Sequence, residues 1–309
     1  MHYARTMFVL AHLSDPHLAP MPRPRLAELA SKRAIGFTNW VRRRSVHHLS
    51  EVLDAVVRDI QVAAPDHIAV TGDLVNIALA GEFAPARAFL TRLGTPHDVT
   101  FVPGNHDAYV RAAAHEPQRH WGEYMRADGI GAGAPADAPL AFPFVRRRGD
   151  VALVGLSTAI PTAPFMATGR LGADQLLRLD ATLSQLRHEG LFRIVLLHHP
   201  PLSHGRDRFK RLIDAGAFRQ VLRERGAELV LYGHNHTRSL GWLDGSERKI
   251  PAVGVPSASA ATTLEPERAG YNLYRIADGR CEMICRSYVP HEGGIATVET
   301  RDLTSSSSN

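Results

Sequence analysis

An α/β fold built on parallel strands is the architecture this sequence predicts, and three observations predict it. Apolar runs of strand type (MFVLAHLS, HIAVT, VTFVP, RIVLL and ELVLY) recur along the chain. Helical stretches separate them. Each run ends in a polar cluster: Asp15-Pro16-His17, Gly72-Asp73, Gly104-Asn105-His106-Asp107, His198-His199-Pro200 and Gly233-His234-Asn235-His236. In a parallel sheet, residues just past the carboxyl ends of successive strands collect on one edge, where such folds build their sites. Groups far apart in sequence can therefore meet in space.

The elements follow in order. After the first strand, residues 19–47 form a stretch that opens with APMPRPR and ends in VRRRSVHH. Its middle reads as a broken amphipathic helix, with Leu26, Leu29, Ala30, Phe37, Trp40 and Val41 near helical spacing and Gly36 weakening the centre. Lys32, Arg42, Arg43 and Arg44 fall on the other face. A helix capped at Ser50 (LSEVLDAVVRDIQVAA) leads to the second strand. Next come a helix over about 82–93, a strand over 97–102 and a helical stretch over about 109–127. The loop GIGAGAPADAPLA separates the halves and reads as a surface excursion. Strands FPFVRR and DVALVGLS precede a long helix from Ala173 to His188, in which Leu176, Leu177, Leu183 and Leu186 are available for burial. A further helix covers about 215–225. Beyond His236 only short strands follow (SLGWL, KIPAVG, YNLYRIA, CEMICRSYV), which build a second sheet or complete one. The expected organisation is a single domain over 1–300, carrying a basic amphipathic insertion at 19–47, with a disordered tail over 301–309.

A chain of 309 residues that is 44% hydrophobic can bury a substantial core. No apolar run is long enough to cross a bilayer, and Asp15 lies too early for a cleavable signal to precede it, so a cytoplasmic location is expected. Cys281 and Cys285 sit four apart in one strand, too distant for a disulfide, and are read as reduced thiols. The net charge of +5 and pI near 9.5 suit an anionic substrate or surface. Charge does not by itself indicate nucleic acid, and the sequence has no helix-turn-helix, zinc-finger or RNA-binding signature and no legible basic and aromatic groove. Nucleic acid is accordingly not an expected partner.

The five clusters contain enough carboxylate, imidazole and amide donors for two adjacent divalent ions. These donor types suit manganese, iron or zinc, and the absence of thiolates argues against a structural zinc site. Singly, each motif also has a plain structural reading. Gly-Asp is a common turn or helix cap, an Asp-x-His ends many strands, and the proline of HHPP simply stops a strand. GHNH is more telling, because two imidazoles flanking a turn are costly to bring together without a shared partner.

In order, D-x-H, G-D, G-N-H-D, H-x-P and G-H-x-H resemble the signature of the calcineurin-like metallophosphoesterase family, over Asp15 to His236. The resemblance implies a four-layer sandwich of two mixed β-sheets flanked by helices. It also implies that Asp15, His17 and His236 hold a first metal, that Asn105, His198 and His234 hold a second, and that Asp73 bridges them. The H-x-P register favours His198 over His199 as the ligand. The implied reaction is attack on phosphorus by a hydroxide shared by the two ions. His106 would act on the transition state or the leaving group, oriented by Asp107.

The compact motif arrangement looks most like bacterial class III cyclic nucleotide and glycerol phosphodiester hydrolases, so the expected substrate is a small phosphodiester. Residues 19–47 are surplus to an ordinary crossover and emerge beside Asp15 and His17. They could cap the site, contact an anionic lipid surface at the inner face of a membrane, or pack on the domain with the arginines solvated. The lipid alternative would make the substrate a phospholipid or lipid-linked diester or pyrophosphate. Catalytically dead scaffolds with this fold would be expected to lack ligands, and this chain keeps all of them. Of the other histidines, His47, His48, His115 and His120 read as surface groups, and His204 as near enough to reach substrate.

Overall fold

A computed structural model describes residues 7–44, 47–129, 139–202 and 208–304. In chain order, β1 (Phe8–Leu13) leads through α1 (Arg33–Asn39) and α2 (Ser50–Ala63) to β2 (His67–Val70), α3 (Phe83–Leu93), β3 (Val99–Phe101) and the short α4 (Glu116–Trp121). Then come β4 (Phe144–Arg148), β5 (Val151–Gly155), α5 (Ala173–His188), β6 (Phe192–Leu196), α6 (Ala215–Arg225), β7 (Leu229–Tyr232), β8 (Ser239–Leu243) and β9 (Ile250–Gly254). Three strands close the chain: β10 (Gly270–Ala277), β11 (Arg280–Val289) and β12 (Gly294–Asp302).

These strands form two six-stranded mixed sheets, ordered β12-β11-β10-β1-β2-β3 and β4-β5-β6-β7-β9-β8. Strands β1, β2 and β3 run parallel, as do β5, β6, β7 and β9, while the outer strands pair antiparallel. The short strands after His236 thus complete both sheets, β8 and β9 extending one and β10 to β12 the other.

Alternation along the strands stacks the layers. In the second sheet, Leu153, Ile194, Leu196, Leu229 and Leu231 share one core with the first sheet and with α2 and α3. Their neighbours Ala152, Val154, Val195, Val230 and Tyr232 turn the other way, onto Leu179 and Leu183 of α5 and Phe218 and Leu222 of α6. The result is the expected four-layer sandwich.

Several local expectations are corrected. Ser50 is the first residue of α2 rather than its cap, and its hydroxyl donates to the Ala19 carbonyl. Leu177 is exposed, since α5 buries the stripe Leu179, Leu183 and Leu186. The stretch 109–127 is one short helix between 3-10 turns. Arg301 and Asp302, assigned to a disordered tail, belong to β12, and the buried Leu303 joins the core. Residues 305–309 and most of the Gly/Ala/Pro loop lie outside the described residues. Both cysteines are free and buried.

The insertion is a 3-10 turn (Leu26–Leu29), the helix α1 and a π-helical turn (Trp40–Arg44) rather than one broken amphipathic helix. Phe37 and Trp40 pack on Met21, Ile77 and Leu79, but Leu26 and Val41 face solvent. Polar staples set this geometry. Arg33 Nε donates to the Ile77 carbonyl at 3.1 Å and its guanidinium also reaches the Ala78 carbonyl; Lys32 Nζ donates to the Thr162 carbonyl at 3.0 Å. Glu28 accepts from the Ala80 amide at 3.0 Å. A side chain at Gly36 would collide with the Tyr109 hydroxyl and Ile77, so the glycine that weakens the helix is the point where α1 crosses Tyr109.

Candidate metal centre

All five motifs emerge at the carboxyl ends of parallel strands: β1, β2 and β3 in the first sheet, β6 and β7 in the second. The sheets are joined at this edge. A parallel bridge links Ser14 to Ser257, the Ala258 amide donates to the Ser14 carbonyl at 2.9 Å, and the Ser257 hydroxyl donates to the Asp15 carbonyl at 2.6 Å. Among the described residues nine non-glycine residues have positive φ, and five of them are Asp15, His17, Asp73, His234 and His236. Left-handed backbone in non-glycine residues is sparsely populated and marks positions that the surrounding structure enforces. Here it aims the side chains inward. A Cβ on Gly104 would lie 2.7 Å from the Asp73 amide nitrogen, so only glycine lets the β2 and β3 loops approach this closely.

The donors converge in two linked groups. In one, His236 Nε2 lies 3.1 Å from Asp15 Oδ1 and 3.2 Å from His17 Nε2. In the other, His198 Nε2 lies 3.2 Å from Asn105 Oδ1 and 3.2 Å from His234 Nδ1. Asp73 stands between: its Oδ2 is 3.3 Å from His198 Nε2 and 3.8 Å from His17 Nε2, while Oδ1 accepts the His106 amide at 2.8 Å. Imidazole nitrogens facing one another this closely can share only one proton. A common cation with bonds of about 2.0–2.2 Å separates its ligands by roughly 3–3.6 Å, so the donor set fits divalent metal. Combinations of His17, Asp73 and His106 and of Asp73, His198 and His234 each bring one ligand atom per residue within 4.8 Å of the others.

Backbone carbonyls orient the imidazoles. His198 Nδ1 donates to the Thr71 carbonyl at 2.6 Å, which leaves Nε2 for the basin, the usual arrangement behind a ligating histidine. The neighbouring His199 is held as a neutral tautomer away from it. Its Nε2 donates to the Ala167 carbonyl at 3.2 Å and its Nδ1 accepts from the Thr158 hydroxyl at 2.7 Å. Burial and then the charge on His198 push its pKa down to about 3.

The charges interlock. Burial drives the Asp15 and Asp73 carboxyls upward, yet His236 beside Asp15, and His198 and His106 beside Asp73, hold both below the ordinary carboxylate value. Burial disfavours the His198 imidazolium, but Asp73 and Asp15 raise it to about 9. A cation would take the place of that proton.

Two expectations about side-chain roles change. Asp107 does not orient His106. Its buried carboxylate accepts the backbone amides of Asp73 and Gly104 at 2.8 Å, Leu74 at 3.0 Å and Val75 at 3.3 Å, which pins the β2 loop against the β3 loop. Burial, then the Asp73 charge, raises it to about 7 despite those amides. The Asn76 carbonyl orients His106 instead, accepting from Nδ1. His48, read as a surface group, is buried. Its ring centroid is 4.7 Å from that of His17, its Nδ1 is 2.8 Å from Ser259 Oγ, and His17, His48 and His236 form a third group of possible ligands. No local pattern marks it, because it is placed by pairing with Ala260, far away in sequence. His47 is exposed, and His204 lies outside the described residues.

Two clefts open from the basin. One, of about 440 Å³, runs past His48, His236 and Leu264; the other, of about 360 Å³, runs between Ile35, Trp40, Tyr109, Phe165 and Phe209. Asn105, His106, Ala167 and Lys210 line both. A further cavity, of about 720 Å³, lies against the strand starts Phe8, Val151 and Phe192, at the edge opposite the motifs.

Oxygen and nitrogen donors grouped in this way at the edge of a double sheet define a class, the metallophosphoesterases, which hydrolyse phosphoric esters with bound metal ions. The sequence pattern of calcineurin-like phosphoesterases matches residues 8–238, and the chain belongs to that family. Among solved structures, a dimetal phosphatase from Danio rerio is similar at TM-score 0.58 and 14% identity, over 94% of this chain and 98% of that one. A purple acid phosphatase from yellow lupin is similar at TM-score 0.59 and 12% identity, over 96% of this chain and 54% of that one. At such identities the likeness concerns the fold. No curated protein sequence matches. Among the described residues, no helix is long and apolar enough to cross a membrane.

Proposed function

We propose that the chain hydrolyses a phosphodiester at a dinuclear centre held by Asp15, His17, Asp73, Asn105, His198, His234 and His236. One observation favours a diester over a monoester: two clefts diverge from Asn105 and His106, giving each ester arm its own path. Two divalent ions held there, manganese, iron or zinc, would supply hydroxide near neutral pH and neutralise charge on the phosphoryl oxygens. The protein's own contribution is positional. Asp73 spans both donor groups, and the β2 and β3 loops are locked together by Asp107. His106, anchored through Nδ1 on Asn76, offers Nε2 for proton exchange with the departing alcohol. A net charge of +5 suits an anionic small-molecule substrate; a glycerophosphodiester would use both clefts, and a cyclic nucleotide, whose two ester oxygens share one ribose, would use one.

The test combines metal analysis with turnover. Manganese-loaded protein is expected to cleave bis(p-nitrophenyl) phosphate with higher kcat/KM than p-nitrophenyl phosphate. His106→Ala should lose roughly 10²–10⁴ in rate with metal retained, and Asp73→Asn should lose the metal. A metal-free, inert wild type would support a scaffold, and preference for the monoester would refute the diester.

A second reading places residues 19–47 on an anionic lipid surface, at the inner face of a membrane, with a lipid-linked substrate. Leu26, Val41 and Arg42 are each exposed, which supports it. Sedimentation with anionic vesicles that exceeds sedimentation with neutral ones is the expected outcome.

A further inference from the structure

The 360 Å³ cleft is an unusual neighbour for a polar basin. Phe165 is 83% exposed and Phe209 53%, and both stand on its rim with Ile35 and Met166. Large apolar side chains left in water carry a free-energy penalty in the empty protein that a bound apolar group would remove. The wall beside His106 is held by ring and cation contacts. Tyr109 stacks on His106 with centroids 5.5 Å apart, and the Lys32 ammonium sits 4.2 Å from the Tyr109 ring centre, tied to Thr162. The far wall is α1 of the insertion, whose Gly36 admits the Tyr109 hydroxyl. Lys210, exposed and without an ion pair or hydrogen bond among the described residues, stands where this cleft meets the other. The cleft thus has a cation and the metal-ligand basin at one end and aromatic, aliphatic walls along its length. A volume of about 360 Å³ is within the usual range of about 300–1,000 Å³ for small-molecule pockets.

We infer that this cleft binds an apolar arm of the substrate, an alkyl or acyl chain attached through the phosphoester, between α1 and the segments carrying Phe165 and Phe209. The inference rests on the proposed metal centre as the anchor for the phosphoryl group, and it assigns a role to the insertion: one wall of the specificity pocket. The occupant is a single substrate molecule, since Asn105 and His106 line the cleft and the basin alike and so place the chain and the phosphorus on one continuous surface.

Binding of methylphosphonate and butylphosphonate to manganese-loaded protein, measured by calorimetry, tests this without requiring turnover, so its outcome is separate from that of the hydrolase assay. A fully buried methylene tightens binding roughly fourfold. Butylphosphonate is therefore expected to bind at least about tenfold tighter than methylphosphonate. In the Phe165→Ser/Phe209→Ser double variant that ratio should fall below about twofold. Both side chains are largely exposed, so the variant should fold; Phe209→Ser alone serves if it does not. Equal affinity of the wild type for the two phosphonates overturns the proposal. So does a double variant that keeps the wild-type ratio while losing binding to phosphatidylcholine/phosphatidylglycerol vesicles, because the rings would then face a bilayer.

Discussion

At the scale of single residues, the site depends on which atom of each imidazole is already engaged. His198 and His199 are adjacent and both fully buried, yet one is turned by the Thr71 carbonyl toward the carboxylates and the other is tied to Thr158 and Ala167. Pro200 after β6 sets the register by which the sequence distinguishes the two. His48 had no such marker. Its ring lies against His17 and 5.8 Å from the His236 ring. Groups that hold or crowd metal ligands typically alter affinity 10–100-fold when removed. His48→Ala is accordingly expected to weaken manganese binding by about that factor, with the metal-free protein still folded; unchanged affinity in a calorimetric titration would restrict His48 to packing. Asp107 shows the limit of motif reasoning at this scale. The motif placed it beside His106, but buried carboxylates go where buried amides need acceptors.

At the scale of elements, strands and long helices were the most legible part of the chain. The ends of α5 and α6 fall where periodicity, turn residues and the polarity of flanking groups put them. The insertion departs from the single helix its apolar spacing suggests, because Arg33 and Glu28 bond to the 77–80 segment and Lys32 to Thr162, and the backbone follows these anchors in three separate turns. Lys32 provides a test of this anchoring. Burial lowers its ammonium to about 8 from an ordinary value of 10.5. Between those values the unfolded chain binds the proton that the folded chain has released, so the Lys32 contribution to stability increases as pH rises from about 8 toward 10.5. Below pH 8 it is a constant penalty. Lys32→Met should remove that rise, seen as a flatter difference in unfolding free energy between pH 8 and 10. Parallel curves for variant and wild type would place Lys32 in open solvent.

At the scale of the whole molecule, each donor group draws on both sheets: Asp15 and His17 with His236, Asn105 with His198 and His234. Metal held by these groups would therefore join the two halves of the sandwich, and its removal should be felt globally. A ligand at about 100 times its Kd stabilises by about 2.7 kcal/mol, and about 1 kcal/mol shifts Tm by roughly 2–4 °C in domains of 150–250 residues. Chelation is expected to lower Tm by several degrees and manganese to restore it. An identical melting curve with and without metal would mean that the centre does not bridge the layers.

The seam at Ser14, Ser257 and Ala258 has a further consequence. Because that seam crosses from one sheet to the other beside Asp15, it helps set the gauge between the two proposed cation positions. A slip of one residue there would leave every donor present in the chain and none of them in focus, so natural variants that lose catalysis need not lose a single ligand.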